Sequence, residues 1–329
     1  MTYCLPAEGC YLPFLALVFS LAGCAQAPPP AVILTTDAGV EVDDQWAIAY
    51  LLLAADAGRV DVRGIVTTHA PSLRPPAAES SADQAREVMT LVNTRRRPPV
   101  IPGSSVPLKD RPPEDAGPGA SFIVEASKEF TPGRRLILLS IGAATDIGAA
   151  VLLDPGIVHR IEVVAMGFER WPEGGDPWNV KNDPRAYQII LESSVPLTLG
   201  AADVCERHLT LDANGARLQT QGGGQAGEYL QKKFDDWLLR KEELCQKMTG
   251  RLAWPIWDVV TLAHLWGWTT SEVRPRPRLR DDLTFDLSSP TGTIRWITAI
   301  DEERVWADFR AKLGSTLQAR GTRAEPPNP

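Results

Sequence analysis

The sequence predicts an α/β fold, namely a doubly wound, mostly parallel sheet flanked by helices. Apolar stretches of strand length alternate along the chain with stretches in which apolar residues recur at helical spacing. Residues 136–141 form an unbroken aliphatic run, which is typical of a strand covered on both faces of a parallel sheet. Ligands of such folds bind outside the carboxyl ends of the strands, so residues that follow a predicted strand are the first site candidates.

The elements are predicted in the following order. Strands are expected at residues 31–36, 60–68, 136–141, 161–166 and 195–199. Helices are expected at residues 46–54, 82–92, 142–153, 183–193 and 257–266, with a charged, exposed helix pair at 227–249. Asp183 and Pro184 are typical of an N-cap and a first helical turn. Residues 70–80 and 102–119 are rich in proline, glycine and serine and are predicted to be loops.

No internal repeat or linker interrupts this pattern, so a single domain over residues 31–315 is predicted, followed by a tail at 316–329 whose composition indicates disorder. The net charge of −7 and the lack of a long basic run argue against nucleic acid as a partner. A small neutral or cationic ligand fits better. Cys205 and Cys245 are the cysteines of this domain, and both a disulfide and two separate buried thiols remain open.

The first thirty residues form a separate segment. Residues 11–21 are apolar and too short to span a bilayer, as is typical of a signal-peptide core. They end in Leu-Ala-Gly-Cys24, which resembles a bacterial lipobox, although no lysine or arginine precedes the apolar run. We therefore expect a signal peptide over residues 1–24, lipidation at Cys24 and a tether over 25–30. The predicted product is an exported bacterial lipoprotein, periplasmic or at the cell surface, that contacts the membrane only through its lipid; a chance cysteine is the alternative.

Four carboxylates crowd the turn after the first predicted strand: Asp37, Glu41, Asp43 and Asp44. Acidic groups so close together repel one another unless a cation lies among them. Calcium prefers hard oxygen ligands such as carboxylates, carbonyls and waters. The turn is therefore the best candidate for a metal-dependent site. The alternative is that Asp43 or Asp44 only caps the helix that follows.

This turn resembles the aspartate signature of the inosine-uridine preferring nucleoside hydrolase family. Five residues separate Asp37 from Asp43, as in the nucleoside-hydrolase-like branch of secreted bacterial proteins, where the common form has three. Thr35 replaces an aspartate of the common form. Further segments resemble the family in the same order: residues 140–147 with Thr145, residues 164–167, residues 178–186 with Asn179, the pair Trp257-Asp258, and residues 295–298 and 304–306.

The resemblance implies a calcium-dependent hydrolase that cleaves the N-glycosidic bond of ribonucleosides or related ribosides. By that resemblance the metal ligands are Asp37, Asp44, Asp258 and the carbonyl of Thr145. A metal-bound water would lose its proton to Asp37 and attack the ribose. Asp43 would bind a ribose hydroxyl, and Asn179 would orient the sugar.

The departures from the family pattern concern the leaving group. Trp257 stands where the family has a histidine that helps to protonate the departing base, and tryptophan cannot act as an acid. Pro177 replaces a glutamate. Trp257, Trp178 and Trp171 are candidates for stacking on the base, and His69 is an alternative acid.

Several interpretations of these residues are possible from the sequence. Glu41 is expected to be a solvated turn residue, because the family has no equivalent, and Asp258 could be only a helix N-cap. A non-catalytic ribose- or carbohydrate-binding lipoprotein would keep the metal and sugar contacts without leaving-group activation. A phosphotransferase is disfavoured because its Asp-x-Asp pair is missing. A homo-oligomer remains open.

Overall fold

A computed structural model of the protein describes residue 1 and residues 28–111, 117–175 and 177–321, with side chains as far as Ser315. Residues 2–24 of the predicted leader, which include Cys24, and residues 25–27 of the predicted tether lie outside the described residues. Among the helices that are described, none has the length and apolar character needed to cross a membrane.

The strands that these residues form are β1 (Ala31–Thr36), β2 (Asp61–Thr67), β3 (Val100–Pro102), β4 (Leu136–Ser140), β5 (Ile161–Met166), β6 (Leu197–Gly200), β7 (Thr210–Asp212), β8 (Ala253–Pro255), β9 (Thr269–Pro275), β10 (Arg278–Leu279), β11 (Phe285–Asp286) and β12 (Thr293–Ile300). The α-helices are α1 (Asp43–Asp56), α2 (Ala77–Val92), α3 (Gly117–Ser127), α4 (Thr145–Leu153), α5 (Trp178–Asn182), α6 (Pro184–Glu192), α7 (Ala202–His208), α8 (Ala213–Thr220), α9 (Gly224–Arg240), α10 (Glu242–Thr249), α11 (Val259–Leu265) and α12 (Glu302–Gly321). Two short 3₁₀ helices lie at Leu108–Asp110 and Pro155–His159.

The central sheet has the strand order β3-β2-β1-β4-β5-β6-β12-β9. Its strands are parallel except β9, which pairs antiparallel with β12 at one edge. β1 pairs with β2 on one side and with β4 on the other, so the chain reverses its direction of travel across the sheet between these two neighbours. Such a switch point leaves a crevice at the carboxyl ends of the strands, where doubly wound proteins bind ligands. The predicted fold class is confirmed.

Helix α1 anchors the acidic turn to the core on one face of the sheet. Every one of its residues up to Ala55 is buried, because it packs between the sheet and helices on its outer side. Trp46 stacks on Phe309 of α12 with 5.4 Å between ring centroids, and Tyr50 meets the same ring edge-on. Buried aromatic contacts of this kind hold the first turn of α1 in a fixed position.

The structure differs from the sequence-based prediction mainly in the loops. Helix α2 begins at Ala77 and α3 at Gly117, so the predicted loops at 70–80 and 102–119 are too long. Small buried residues such as Ala78 pack these helices closely, and their alanines, serines and glycines resemble loop composition. Helix α12 runs to Gly321, so it extends into the segment whose composition indicates disorder. The predicted cap at Asp183 is confirmed, since its carboxylate accepts from the backbone N–H of Ala186 at 3.0 Å.

Candidate active site

A cavity of about 520 Å³ opens at the carboxyl ends of the central strands, a volume typical of small-molecule sites. It lies beside the switch point between β1 and β4. Its lining comprises Asp37, Val40, Glu41, Asp43, Asp44, Ile141, Met166, Glu169, Pro177, Trp178, Asn179, Lys181, Ala202, Glu206, Leu244, Met248, Trp254, Trp257 and Asp258. Seven carboxyl groups and one ammonium group therefore face the same space.

The acidic turn delivers two carboxylates to the cavity without using them as helix caps. β1 ends at Thr36, and Gly39 turns the chain at a φ of +104°, where a side chain is strained. α1 then begins at Asp43, and its N-cap Val42 provides no side-chain hydrogen bond. Asp43 and Asp44 thus lie in the first turn, where the partial positive charge of the helix N-terminus favours carboxylates.

Asp43, Asp44 and Asp258 bring one oxygen each to within 4.8 Å of one another, and all three side chains are buried. Asp258 is the N-cap of α11 by position, yet its carboxylate makes no capping hydrogen bond. Burial raises the pKa of Asp43 to about 7. Burial also raises the pKa values of Asp44 and Asp258 far above their usual range, and repulsion from the neighbouring aspartates adds to it. A buried cluster of hard oxygens with this mutual repulsion fits a divalent cation such as calcium.

Asp37 lies beside this cluster at the end of β1 and is 2% exposed. Burial, followed by repulsion from Asp43, raises its pKa to about 7. The indole N–H of Trp178 donates to Asp37 Oδ2 at 3.2 Å and lowers that pKa in part. Gly142 passes so close that a Cβ there would lie 2.7 Å from the backbone nitrogen of Asp37. We call Asp37, Asp43, Asp44 and Asp258 the acidic end of the cavity.

Asn179 and Trp178 reach the cavity from the short helix α5, whose N-cap is Pro177. Asn179 is 6% exposed and its Nδ2 donates to the carbonyl of Met166 at 3.2 Å, which fixes the orientation of its amide. The structure therefore brings these two of the five predicted substrate-binding residues to the cavity. Their contacts with a sugar or base remain predictions.

Thr145 and His69 are not among the residues that line the cavity. Thr145 opens helix α4, and its hydroxyl donates to Asp183 Oδ2 at 2.7 Å. The Nε2 atom of His69 lies 3.0 Å from the same hydroxyl oxygen. Burial lowers the pKa of His69, so this ring favours the neutral form. The structure thus gives His69 a buried hydrogen-bond partner away from the cavity lining, and the metal contact of the Thr145 carbonyl remains a prediction.

The prediction that Glu41 is a solvated turn residue is wrong. Glu41 is partly buried and lines the cavity. Burial, and then repulsion from Asp43 and Asp37, raises the pKa of Glu41 well above its usual range. The Trp254 indole and the Lys241 ammonium group lie nearby and lower this pKa in part. No pattern in the sequence indicated that the Glu41 side chain faces the cavity.

Trp257 lines the cavity together with a residue that the sequence did not single out, Trp254 of β8. Their rings meet edge-to-face with 5.0 Å between centroids. Leu244 and Met248, one helical turn apart on α10, complete this side at the mouth. We call these four residues the tryptophan wall. Trp171 is not part of it, because it packs against Phe285 and Trp296.

The two cysteines of the domain are both buried and both free, so the alternative of two separate thiols is confirmed. The Sγ atom of Cys205 lies 3.7 Å from the carbonyl oxygen of Trp257 and packs behind the tryptophan wall. His264 points away from the cavity and bonds the hydroxyl of Thr269 at 2.9 Å.

Solved structures with a similar fold include nucleoside hydrolases. A plant nucleoside hydrolase superimposes with a TM-score of 0.69 at 17% identity and covers 88% of this chain and 100% of its own. A purine-preferring ribonucleoside hydrolase from Gardnerella vaginalis gives a TM-score of 0.68 at 18% identity, covering 88% and 99% of the two chains. Likeness at this identity establishes a shared fold.

Sequence comparisons identify the family to which the chain belongs. The inosine-uridine preferring nucleoside hydrolase of Leishmania major is 30% identical over 129 residues, which are 36% of this chain and 41% of that protein. Alignments with the curated relatives span between 41% and 65% of their lengths. The model of the inosine-uridine preferring nucleoside hydrolase family matches residues 32–307, which include the whole cavity lining. This chain therefore belongs to the inosine-uridine preferring nucleoside hydrolase family.

Proposed function

We propose that this protein is a calcium-dependent hydrolase that cleaves the N-glycosidic bond of ribonucleosides or related ribosides. The observation that carries the proposal is the acidic end of the cavity. Four buried carboxyl groups converge there at the switch point of the central sheet, in a chain of the nucleoside hydrolase family. Structural aspartates are seldom buried in such a group without a cation or another partner.

The residues present fit a calcium ion. Asp43, Asp44 and Asp258 would hold it, with Asp37 and the carbonyl of Thr145 as the further ligands that the family resemblance implies. The sequence assigned Asp43 to a ribose hydroxyl, and its place in the cluster makes it a candidate metal ligand as well. When bound, the ion would offset the repulsion among these groups and lower the pKa of a water molecule in its coordination shell.

Asp37 is the proposed general base. Its carboxylate lies beside the cluster and is oriented by the indole N–H of Trp178, so it can accept the proton of the attacking water. The water oxygen forms a bond to the anomeric carbon of the ribose. The bond from that carbon to the nitrogen of the nucleobase breaks through an oxocarbenium-like state. The amide of Asn179, held by the carbonyl of Met166, would orient the ribose for this attack.

We also propose, from the sequence of the leader, that the protein is exported and anchored through a lipid at Cys24. A lipid anchor would keep the catalytic domain beside the membrane without a spanning helix. The supporting pattern is the apolar run that ends in Leu-Ala-Gly-Cys24. Mass spectrometry of the N-terminal peptide from membranes is the test, and an unmodified Cys24 would contradict the anchor.

A second candidate function is ribose or carbohydrate binding without catalysis. One observation favours it: in the part of the chain that the structure describes, the cavity lining contains no histidine, tyrosine or cysteine that could protonate a departing base. Such a protein would bind ribosides through the same groups and release no sugar.

One experiment separates the two functions. The protein is incubated with calcium and a panel of purine and pyrimidine ribonucleosides, and free ribose is measured. We expect release that falls by about 10²–10⁴-fold in Asp37→Asn, the range for loss of a general base. Asp83→Asn, which removes an exposed carboxylate on α2, is the matched control and should leave the rate unchanged. Tight binding of ribosides without release of ribose would support the binding protein instead.

A further inference from the structure

We propose that the preferred substrates of this site are ribosides whose departing base carries a positive charge, such as N-ribosyl pyridinium or N7-alkylated purine ribosides. The inference rests on the proposed function, because it names the substrate class for the same cavity. It follows from the glutamates and the tryptophan wall that line the rest of the cavity, outside the acidic end.

The first observation is the charge of the cavity. Besides the acidic end, Glu41, Glu169 and Glu206 line it, against the single ammonium group of Lys181. Glu169 pairs with Arg170 at 2.6 Å. No ion pair joins Glu41 or Glu206 to a basic side chain in the described part of the chain. Lys241 acts on Glu41 without forming an ion pair, and the two arginines near Glu206 are already paired with Glu169 and Asp203. Carboxyl groups therefore outnumber basic groups along the lining, and their negative charge favours a cation over an anion.

The second observation is independent of charge and concerns the tryptophan wall. Trp254 and Trp257 bring two indole rings to the cavity, and the Trp254 indole lies close to the Glu41 carboxyl group. Leu244 and Met248 keep the remainder of the wall apolar. A flat cationic ring gains both apolar contact and cation–π attraction from such a surface.

The third observation is the chemistry of the leaving group. A neutral purine or pyrimidine gains negative charge as the glycosidic bond breaks and must be protonated. Among the described residues, the cavity lining contains no histidine, tyrosine or cysteine that could supply the proton. A cationic base has no such need. The electron pair of the C1′–N bond passes to the ring nitrogen, which leaves neutral, while the water oxygen forms the new C1′–O bond. The proton from water goes to Asp37 and then to solvent.

Two pairs of substrates test the proposal on the calcium-loaded full-length protein. The ribosides of nicotinamide and nicotinic acid share a pyridinium bond of similar lability, but the second adds a carboxylate. We expect kcat/KM for the nicotinamide riboside to exceed that for the nicotinic acid riboside by about tenfold or more, from lost attraction and added repulsion. The second pair, 7-methylinosine and inosine, compares a cationic with a neutral purine. We expect the methylated compound to be preferred.

Variants connect this preference to the residues named. Glu41→Gln and Glu206→Gln should each reduce the ratio between the nicotinamide and nicotinic acid ribosides several-fold, mainly by slowing the cationic substrate. Glu243→Gln removes an exposed carboxylate on α10, outside the cavity lining, and should leave the ratio unchanged. A reduced ratio in all three variants would contradict the assignment, because it would reflect the general charge of the protein.

The remaining outcomes distinguish this proposal from the function on which it rests. Cleavage of inosine or uridine with equal or slower cleavage of the cationic ribosides would overturn the substrate class and leave the hydrolase function standing. The same holds if inosine cleavage is rapid and is lost in Glu41→Gln, since a glutamic acid would then be protonating a neutral base. Release of ribose from none of these compounds would overturn both proposals.

Discussion

The two ends of the cavity are built from different parts of the fold. The acidic end comes from the carboxyl end of β1 and the first residues of α1 and α11, and all four of its side chains are buried. The tryptophan wall comes from β8, the peripheral helix α10 and the residues before α11, and Leu244 and Met248 are 38% and 45% exposed. The residues proposed to bind metal and sugar are thus held by the core of the sheet. Recognition of the leaving group is assigned to a wall that combines two buried tryptophans of the core with Leu244 and Met248 at the partly exposed mouth.

The largest expected effect concerns the acidic end and the dependence of stability on pH. The folded-state pKa values of Asp37 and Asp43 are raised to about 7 from a reference of 3.8, so without metal the folded state binds more protons than the unfolded state between these values. Stability is then fully present below about pH 4 and is lost as the pH rises through about 7. Each pKa unit corresponds to about 1.4 kcal/mol.

Thermal unfolding with chelator and with calcium, from pH 5 to pH 8, checks this expectation. The melting temperature of the calcium-free protein should fall as the pH rises over this range. The stabilisation by calcium should grow with pH, because the ion binds the deprotonated carboxylates. A calcium-free protein whose stability rises steadily from pH 5 to pH 8 would show that burial does not raise the pKa values of these aspartates in the fold.

The second prediction concerns the support of the acidic end by Thr36. Its hydroxyl donates to Asp44 Oδ1 and also accepts from the backbone N–H of Ala38. Thr36→Val keeps the shape of the side chain and removes the donor, so calcium affinity should fall by about 10–100-fold, as for other groups that orient metal ligands. Thr67→Val is the control, because that hydroxyl donates to the carbonyl of Ala78 and contacts no aspartate. Calorimetry with calcium distinguishes the two variants.

The third prediction concerns Trp178, which joins the acidic end to the rest of the lining. Trp178→Phe keeps an aromatic ring but removes the N–H that lowers the pKa of Asp37. Because the base must be deprotonated, the acidic limb of the pH–rate profile should move upward by about one pH unit. Activity well above the limb should change little. Trp171→Phe, in the aromatic cluster with Phe285, should leave the profile in place; an equal displacement in both variants would mean a general structural effect.

The smallest effect is expected at the tryptophan wall. Met248→Ala removes part of the apolar surface at the mouth and should raise KM for ribosides with a large base by about tenfold or less, with kcat nearly constant. Leu239→Ala is the control, since Leu239 is 76% exposed on α9 and does not line the cavity. A larger fall in kcat than in affinity would assign Met248 to the reaction rather than to binding, and the contrast between the two ends would then weaken.

Much of the acidic end could be predicted from the sequence because its residues are close along the chain. Asp37, Asp43 and Asp44 follow one strand, and the carboxyl ends of parallel strands meet at one edge of the sheet. Asp258 and Asn179 are distant in sequence and could be placed there only through the family resemblance. Trp254 was missed because a tryptophan in a short strand carries no local signal. Its place in the lining depends on packing against Trp237 of α9 as well as on its neighbour Trp257.

The sequence by itself determined the α/β class, the order of the main strands and the crowding of carboxylates after the first strand. These follow from local apolar periodicity and from spacing, which each short segment carries on its own. Only the tertiary structure decided where the side chains point. Glu41 faces the cavity, His69 bonds Thr145 outside the lining, and Trp254 packs against Trp237 of α9, because packing between segments that are not adjacent in the chain sets these directions.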